Sequence, residues 1–179
     1  MLAQNSRDVS NVLISEEQIS AKVKEIGAKI TEDFKGEPVL LVGILKGSIA
    51  FMADLMRAID LEDVAIEFRS VSSYGSATKS SGVVKINQDL DCDIRGRNVI
   101  IVEDIIDSGL TLAYLKSYLL HRGPKSLKIA TMLDKPSRRK SDIKPDYVGF
   151  EVEDVFIVGY GLDADQKYRN LPYISWIKS

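Results

Sequence analysis

The sequence contains few residues that bind soft metals or form disulfides. Among 179 residues there is one cysteine and one histidine. Cys92 has no internal disulfide partner and no histidine near it in the sequence, so we interpret it as a bystander rather than a nucleophile. His121 ends a predicted helix, where a partly positive imidazole suits the helix dipole, and we assign it no chemistry. A His/Cys metal site is excluded, so any bound metal must have oxygen ligands.

The sequence also lacks a long hydrophobic run and a strong excess of either charge. Its longest apolar run, VLLVGIL from Val39, is far too short to cross a bilayer. The N-terminal sequence shows no basic region followed by an apolar core, so we expect a cytoplasmic protein with no membrane partner. A net charge of −2 and a pI of about 5.5 argue against a wide nucleic-acid surface. We therefore expect a small-molecule substrate and no nucleic-acid partner.

The order of predicted elements indicates a single α/β domain over residues 1–179. Apolar residues from Ser15 to Phe34 recur at helical spacing, and Ser15 with Gln18 has the spacing of a capping box. Further helices are predicted from Ser48 and from Leu110 to His121, and strands at VLLVGI, NVIIVED, SLKIATML, YVGFEV and VFIVGYGL. This alternation predicts a mostly parallel, twisted sheet flanked by helices, with ligands beyond the carboxyl ends of the strands.

One more strand is predicted to lead into a long serine-rich loop. Val64, Ile66 and Phe68 alternate with polar or small neighbours, as expected for the buried face of a half-buried strand. The following stretch, SVSSYGSATKSSG at residues 70–82, has six serines and two glycines in thirteen residues. So little apolar surface cannot offset the entropy of ordering the chain, and we predict a mobile loop there.

The stretch VIIVEDIIDSGLT, residues 99–111, begins as an apolar strand and ends as the opening of a helix. Backbone N–H groups converge at such a helix start, where the dipole is positive, and a phosphate would fit there. Gly109 permits close approach of the backbone, and the hydroxyls of Ser108 and Thr111 add possible donors. The turn is not a Walker loop, because GxxxxGK[ST] is absent. A helix capped by Asp107 or Ser108 without any ligand is the alternative.

Two carboxylates at the strand end favour the ligand interpretation. Glu103 and Asp104 directly follow four apolar residues, where a buried unpaired charge costs several kcal/mol. Helix capping requires only one acid or hydroxyl, so these two side chains need another partner. Vicinal sugar hydroxyls and Mg²⁺ are suitable, because carboxylates accept hydrogen bonds from the first and help to hold the second. The sequence therefore predicts a ligand with ribose, phosphate and magnesium.

The same stretch resembles the phosphoribosyl-diphosphate signature of the type I phosphoribosyltransferases. These enzymes transfer ribose 5-phosphate from phosphoribosyl diphosphate (PRPP) to a nitrogenous base. Nearly the whole chain is similar to the branch that acts on hypoxanthine and guanine. Four motifs carry this resemblance, and they follow one another in the same order as in the enzymes of that branch. They are LKGS at 45–48, SSYG at 72–75, DKPSRR at 134–139 and VFIVGYGLDADQKYRNLP at 155–172. The resemblance implies the type I phosphoribosyltransferase fold, with a small hood built from the chain termini that includes a base-binding part at about 150–179.

The resemblance also implies a set of site residues for PRPP. The residues implied to cradle the 5-phosphate are Asp107, Ser108, Gly109, Leu110 and Thr111. Glu103 and Asp104 would hold the ribose hydroxyls and Mg²⁺, and Asp163 would help to position a second magnesium-diphosphate group. The LKGS loop, through Lys46 and Gly47, would meet the diphosphate together with Arg169, and the peptide before Lys46 is often cis in this family. Ser73 and Tyr74 would lie in the loop that closes over the site.

For the base, the resemblance implies a 6-oxopurine that is held by side chains near the C-terminus. Lys135 would donate to the exocyclic oxygen, Phe156 would stack on the ring and the backbone of Ile157 would read the base edge. Asp107 is the candidate general base for the proton of the purine. The alternatives are that Phe156 belongs to the hydrophobic core and that Arg169 is a solvated surface residue. We interpret Arg138, Arg139 and Lys140 as a solvated loop face.

A second functional class shares this fold, namely RNA-binding pyrimidine attenuation regulators, some of which keep uracil phosphoribosyltransferase activity. Such regulators need a basic RNA-binding face, and the only dense basic cluster in this sequence is SRRK at 137–140. The C-terminal motif is similar to the purine enzymes instead. We therefore expect a magnesium-dependent enzyme that assembles as a homodimer or homotetramer. The sequence does not rank hypoxanthine, guanine and xanthine.

Overall fold

The computed structural model describes residues 11–73, 84–86 and 92–177. Its strands are β1 (Val12–Ile14), β2 (Val39–Leu45), β3 (Val64–Ser73), β4 (Val84–Ile86), β5 (Asn98–Ile106), β6 (Ser126–Asp134), β7 (Tyr147–Glu151), β8 (Phe156–Val158) and β9 (Ile174–Ile177). Its α-helices are α1 (Glu16–Asp33), α2 (Ile49–Ala58) and α3 (Leu110–Leu120). Among the described residues, no helix has the length and apolar character needed to cross a membrane.

The larger sheet has the order β4-β3-β2-β5-β6-β7. Five neighbouring strands of this sheet are parallel, namely β3, β2, β5, β6 and β7. Strand β4 pairs antiparallel with β3 at the edge. Successive residues of β2 enter opposite cores: Leu41 packs with α1 and α2, whereas Leu40 and Val42 pack with α3. The sheet is therefore covered by helices on both faces, which confirms the predicted α/β architecture.

The predicted first helix is present with its capping box. The Ser15 hydroxyl accepts a hydrogen bond from the Gln18 N–H at 3.2 Å, and the Gln18 side-chain oxygen accepts from the Ser15 N–H at 2.8 Å. The buried face of α1 includes Ile19, Val23, Ile26 and Ile30, which are four of the five apolar positions that define the helical spacing. Local sequence signals therefore located this element correctly.

A second, smaller sheet has the antiparallel order β1-β9-β8 and joins the two ends of the described chain. The stretch VFIVGYGL was predicted as one long strand, but only Phe156–Val158 forms a strand, and it lies in this smaller sheet. The chain beyond it is bent by positive φ angles at Gly159, Tyr160 and Gly161, which a strand does not adopt. The smaller sheet corresponds to the hood expected from the chain termini, whereas its bounds at about 150–179 stay a prediction.

Strand β3 differs from its prediction in two ways. It continues to Ser73, so the predicted loop at 70–82 begins inside a strand, and its remainder, with Tyr74, lies outside the described residues. Ile66 and Phe68 were expected on a buried face, but 43% and 40% of their surfaces are exposed. The neighbour of β3 at the sheet edge is the short strand β4, so β3 receives less cover than β2 does. Periodicity alone identified the strand but not its buried face.

Candidate active site

The predicted site residues gather at the carboxyl ends of neighbouring parallel strands. The loop after β2 begins at Lys46, the loop after β5 at Asp107 and the loop after β6 at Lys135. Strands β2, β5 and β6 are adjacent and parallel, so these three loops meet at one edge of the sheet. This is the edge at which open α/β sheets bind ligands.

The loop from β5 to α3 encloses a small cavity, which we call the loop cavity. Its volume is about 150 Å³, and its lining residues are Glu103, Ile105, Ile106, Asp107, Ser108, Gly109, Thr111 and Leu112. Gly109 precedes the helix with φ of +74°, a region that side-chain-bearing residues rarely adopt. A Cβ atom added there would lie 2.5 Å from the Ser141 Oγ. Leu110 was predicted to bind phosphate, but its side chain is 37% exposed and does not line the cavity.

The two carboxylates at the end of β5 lie in a poorly hydrated environment. Burial, reinforced by the nearby Asp104 carboxylate, raises the pKa of Glu103 well above its ordinary value. Burial likewise raises the pKa of Asp104, although the Ile105 N–H donates to its Oδ1 at 2.7 Å. Burial disfavours the charged form of a carboxyl group, so a cation or hydroxyl donors would stabilise the ionised pair. The structure therefore places these two side chains where a bound group can satisfy them.

Strand β2 presents its following loop directly to Asp104. The peptide between Leu45 and Lys46 is cis, as the resemblance implied. A Cβ atom added to Gly47 would lie 1.6 Å from the Asp104 Oδ2, so only glycine leaves room for that carboxylate. A Cβ atom on Gly161 would lie 2.0 Å from the Gly47 carbonyl oxygen, which brings the C-terminal loop against the same turn. Two segments that are distant in the chain, at Asp104 and at Gly161, therefore pack tightly against Gly47.

The C-terminal loop brings Arg169 close to the turn at Lys46. Arg169 donates to the Gly161 carbonyl at 2.7 Å and forms an ion pair with Asp163 at 2.8 Å. The Gln166 side-chain oxygen accepts from Arg169 at 3.4 Å and from the Lys46 Nζ at 3.5 Å. Two cations, Lys46 and Arg169, therefore converge on one neutral acceptor, which is an arrangement suited to an anion.

A larger cavity adjoins the loop cavity, and we call it the Lys135 cavity. Its volume is about 430 Å³, and its lining residues are Ile105, Asp107, Lys135, Arg138, Asp154, Val155, Phe156, Ile157, Leu162 and Asp163. Lys135, Phe156 and Ile157, which were predicted to bind the base, belong to this set, and so does Asp163. Phe156 is 51% exposed, which contradicts the alternative that it is plain core. Lys135 is only 8% exposed and donates to the Val155 carbonyl at 2.7 Å. Ile105 and Asp107 line both cavities.

The prediction that residues 138–140 form a solvated loop face is wrong for Arg139, whereas Arg138 is exposed but also forms specific ion pairs. Arg138 lines the Lys135 cavity and forms ion pairs with Asp107 at 2.9 Å and with Asp154 at 3.2 Å. Arg139 is mostly buried and forms an ion pair with Asp134. A charge run appears solvated when its partners are distant in the sequence, and the residues that Arg138 contacts lie 31 and 16 positions away. No local pattern distinguished these arginines from an ordinary surface run.

The carboxylates at this sheet edge also bear on the predicted magnesium. Among the described residues, no group of three or more His, Cys, Asp or Glu side chains is arranged to hold a metal ion by itself. Glu103 lines the loop cavity, and Asp163 lines the Lys135 cavity. Mg²⁺ prefers oxygen ligands, keeps several waters and usually binds through one or two carboxylates together with substrate phosphates. The donor set fits a magnesium ion that arrives with a phosphate ligand.

Comparison with known proteins adds an independent line of argument. Residues 12–165 match the family model described as the phosphoribosyl transferase domain. The chain is 56% identical over 171 residues to the hypoxanthine-guanine phosphoribosyltransferase of Bacillus subtilis, covering 96% of this chain and 94% of that protein. It is 48% identical to the bifunctional protein TilS/HprT of Listeria monocytogenes, of which it spans 26%. A crystal structure of a Bacillus anthracis hypoxanthine-guanine phosphoribosyltransferase superposes with a TM-score of 0.91 at 53% identity, covering 96% of this chain and 100% of that one.

Proposed function

The chain belongs to the phosphoribosyltransferase family, in its hypoxanthine-guanine branch, and on this premise we propose that the loop cavity and the Lys135 cavity are two halves of one active site. The enzyme transfers the 5-phosphoribosyl group of PRPP to a 6-oxopurine, which gives IMP or GMP and diphosphate in purine salvage. The observation that carries this proposal is Asp107, because it lines both cavities. A group there can contact the sugar phosphate on one side and the purine on the other.

We assign the loop cavity to the phosphoribosyl group. The turn from Asp107 to Thr111 binds the 5-phosphate through backbone N–H groups and hydroxyls at the positive end of α3. Glu103 and Asp104 accept hydrogen bonds from the ribose hydroxyls. The support is that Glu103 lines the cavity, that Asp104 follows it in β5, and that the pKa of each carboxyl group is raised, which a bound donor or cation would reverse. Lys46 and Arg169, which already converge on one acceptor, bind the diphosphate.

We assign the Lys135 cavity to the purine. Lys135 donates to the 6-oxygen, the exposed ring of Phe156 stacks on the base, and the backbone of Ile157 binds its edge. Asp163 lies at the same cavity and is held by Arg169 at 2.8 Å, so it links the base side to the diphosphate side. A cavity of about 430 Å³ is within the range of sites for small molecules.

Catalysis then depends on charge that develops on both sides of the broken bond. Positive charge grows on the sugar ring and negative charge on the departing diphosphate, and preorganised groups that oppose these charges lower the barrier. Lys46, Arg169 and the backbone N–H of Gly47 stabilise the leaving diphosphate. Asp107 accepts the proton released from the purine nitrogen on its carboxylate. Glu103 and Asp104 are the candidate ligands for Mg²⁺, and Asp163 would help to position it near the diphosphate. When bound, Mg²⁺ would supply further positive charge.

Assembly and location are also part of the proposal. A homodimer or homotetramer in the cytoplasm, without a nucleic-acid or membrane partner, remains our prediction. Its support is a set of exposed apolar side chains: Ile49 and Met56 of α2 and Ile66 and Phe68 of β3 are each at least 37% exposed. Apolar surface of this kind is common at interfaces between subunits.

The role of Asp104 can be tested by replacing it with asparagine. Asp104→Asn keeps the side-chain volume but removes a charge that acts on the ribose hydroxyls and on the magnesium shell. We expect the KM for PRPP to rise about 10-fold to 100-fold, and the Mg²⁺ concentration for half-maximal rate to rise with it. Steady-state kinetics at several Mg²⁺ concentrations measure both values. Glu25→Gln removes an exposed carboxylate of α1 and serves as the control. Unchanged PRPP kinetics in Asp104→Asn would contradict the assignment.

Gly47 offers a second test, because its requirement follows from the structure. Gly47→Ala places a methyl group within 1.6 Å of the Asp104 Oδ2 and must displace that carboxylate or the loop. We expect kcat/KM for PRPP to fall about 10-fold to 100-fold, as is usual for a misplacement of about 1 Å in a site. Gly36→Ala is the control, because its added Cβ atom meets nothing within 4 Å, although Gly36, unlike Gly47, has a positive φ. A Gly47→Ala enzyme with PRPP kinetics equal to those of Gly36→Ala would refute the close packing of Gly47 and Asp104.

A further inference from the structure

A short segment after β6 lies directly behind the phosphate-binding turn. It comprises residues Arg139, Lys140 and Ser141, and we call it the brace. Strands β5 and β6 are parallel neighbours, paired as far as Ile106 and Asp134, so the segments that follow them run side by side. The pairing of β5 with β6 therefore brings the brace next to the turn, although about 30 residues separate the two in the chain.

The brace contacts the backbone of the turn rather than its side chains. The Arg139 Nε donates to the Asp107 carbonyl at 3.2 Å. The Lys140 N–H donates to the Ser108 carbonyl at 2.9 Å, and the Ser141 hydroxyl donates to the same carbonyl at 3.3 Å. Two consecutive carbonyl groups of the turn are therefore each held from behind by donors of the brace.

Holding these carbonyls determines where the amide groups point. In a trans peptide the C=O and N–H bonds point in opposite directions. Fixing the carbonyls of Asp107 and Ser108 toward the brace therefore turns the N–H groups of Ser108 and Gly109 away from it. These two residues line the loop cavity, where N–H donors are needed for a phosphate.

Arg139 is itself held firmly enough to act as the anchor of the brace. Its side chain is 14% exposed and forms an ion pair with Asp134, whose side chain is 10% exposed. Its guanidinium also donates to the Ile143 carbonyl. A Cβ atom on Gly109 would lie 3.0 Å from the Arg139 Cδ, so the turn packs directly on the arginine stem. Arg139 thus has a fixed orientation and little freedom to move away.

We infer that Arg139 is a positioning residue that holds the turn from Asp107 to Gly109 in its phosphate-binding conformation without contacting substrate. This inference rests on the proposed function, since it takes the turn as the site of the 5-phosphate. A rigid supporting shell of this kind preorganises the groups that meet the ligand. The planar fork of arginine supplies separate donors to the Asp107 carbonyl, the Ile143 carbonyl and Asp134, and a lysine ammonium cannot reproduce that geometry.

The test compares the binding of IMP, which carries a 5-phosphate, with that of inosine, which lacks it. Isothermal titration calorimetry on the full-length protein gives both dissociation constants. We expect Arg139→Lys, which keeps the charge opposite Asp134, to weaken IMP about 10-fold to 100-fold and to change inosine less than about twofold. Ser141→Ala removes one donor to Ser108 and should weaken IMP about threefold. If Arg139→Lys does not fold, Ser141→Ala still tests whether the brace supports the turn, and wild-type IMP affinity in Ser141→Ala would then overturn the inference.

Lys140→Ala is the matched control for this experiment. It removes a neighbouring positive charge but keeps the backbone N–H that donates to Ser108, so IMP affinity should stay within about twofold. Wild-type IMP affinity in both Arg139→Lys and Ser141→Ala would overturn the inference. An equal loss of IMP and inosine affinity would also overturn it, because that result indicates a general structural role. A wild-type protein that binds IMP no better than inosine would overturn the proposed function and the brace together.

Discussion

Adenine will be converted about 10⁴-fold to 10⁵-fold less efficiently than hypoxanthine, as measured by kcat/KM with PRPP. Hypoxanthine and guanine present a carbonyl oxygen at the 6-position, whereas adenine presents an amino group. An ammonium has three donors and no acceptor, so Lys135 pairs with the oxygen and opposes the amino group. A buried charge that lacks its hydrogen-bond partner costs a large free energy. A site of this kind therefore discriminates between two bases more strongly than a site that only detects a missing methylene group.

The structure shows why Lys135 is suited to this role. Its ammonium donates to the Val155 carbonyl at 2.7 Å and lies 3.9 Å from the Asp154 carboxylate, and only 8% of the residue is exposed. The side chain is therefore fixed before any base binds, with further donors left for a ligand. Lys135→Ala should lose most of the kcat/KM for hypoxanthine while its adenine rate changes little. Adenine turnover by the wild type within tenfold of hypoxanthine would overturn the assignment of Lys135.

Replacing Asp107 with asparagine will lower kcat by about 10²-fold to 10⁴-fold, the usual contribution of a general base. Asparagine has the same shape, but its amide cannot accept the proton that leaves the purine. The carboxylate accepts from Arg138 at 2.9 Å, and both side chains are about half exposed. An exposed ion pair of this type is worth about 0–1 kcal/mol, so a purine can displace Arg138 at small cost. Single-turnover rates at saturating hypoxanthine and PRPP measure the chemical step.

Asp154→Asn provides the control for this variant. Asp154 lines the same cavity and also pairs with Arg138, at 3.2 Å, so its replacement removes the same charge from the same surroundings. It lies outside the loop cavity, and we expect the kcat of Asp154→Asn to fall less than about tenfold, as for the loss of its exposed ion pair with Arg138 and of its 3.9 Å contact with Lys135. If Asp107→Asn retains a kcat close to that of Asp154→Asn, Asp107 is not the general base.

The features that the sequence revealed are those encoded within one short segment. The apolar run before Glu103 and Asp104 identified β5, and the turn chemistry around Gly109 identified the start of α3. Both depend on residues a few positions apart, so a single segment contains the whole signal. The capping box of Ser15 and Gln18 was located for the same reason.

The features that the sequence did not reveal depend on contacts between distant segments. Arg138 and Arg139 are adjacent and equally charged, yet one lines a cavity and the other braces a turn. The Arg139 contact with the Asp107 carbonyl spans 32 positions, and no local pattern reports such a distance. The requirement for Gly47 likewise arises because Asp104, on the neighbouring strand β5, occupies the space of its Cβ atom. Sequence motifs identified the ligand-binding loops, and the tertiary structure identified what holds them in place.

The RNA-binding pyrimidine regulators remain the informative contrast, because they share the fold and the PRPP turn. The two classes differ in the base that they accept. Lys135, held by Val155, and the exposed ring of Phe156 form a cavity that we assign to a 6-oxopurine. Uracil is smaller and would leave part of that cavity unfilled, so it should be a poor substrate.

A competition assay among four bases tests the assignment of the site to 6-oxopurines. Equal concentrations of hypoxanthine, guanine, adenine and uracil are mixed with PRPP, Mg²⁺ and the wild-type protein, and the nucleoside monophosphates are separated and quantified over time. We predict that IMP and GMP form in a PRPP-dependent manner, with AMP and UMP at trace levels. UMP as the main product, or no PRPP-dependent nucleotide at all, would contradict the assignment of this site to 6-oxopurine phosphoribosyl transfer.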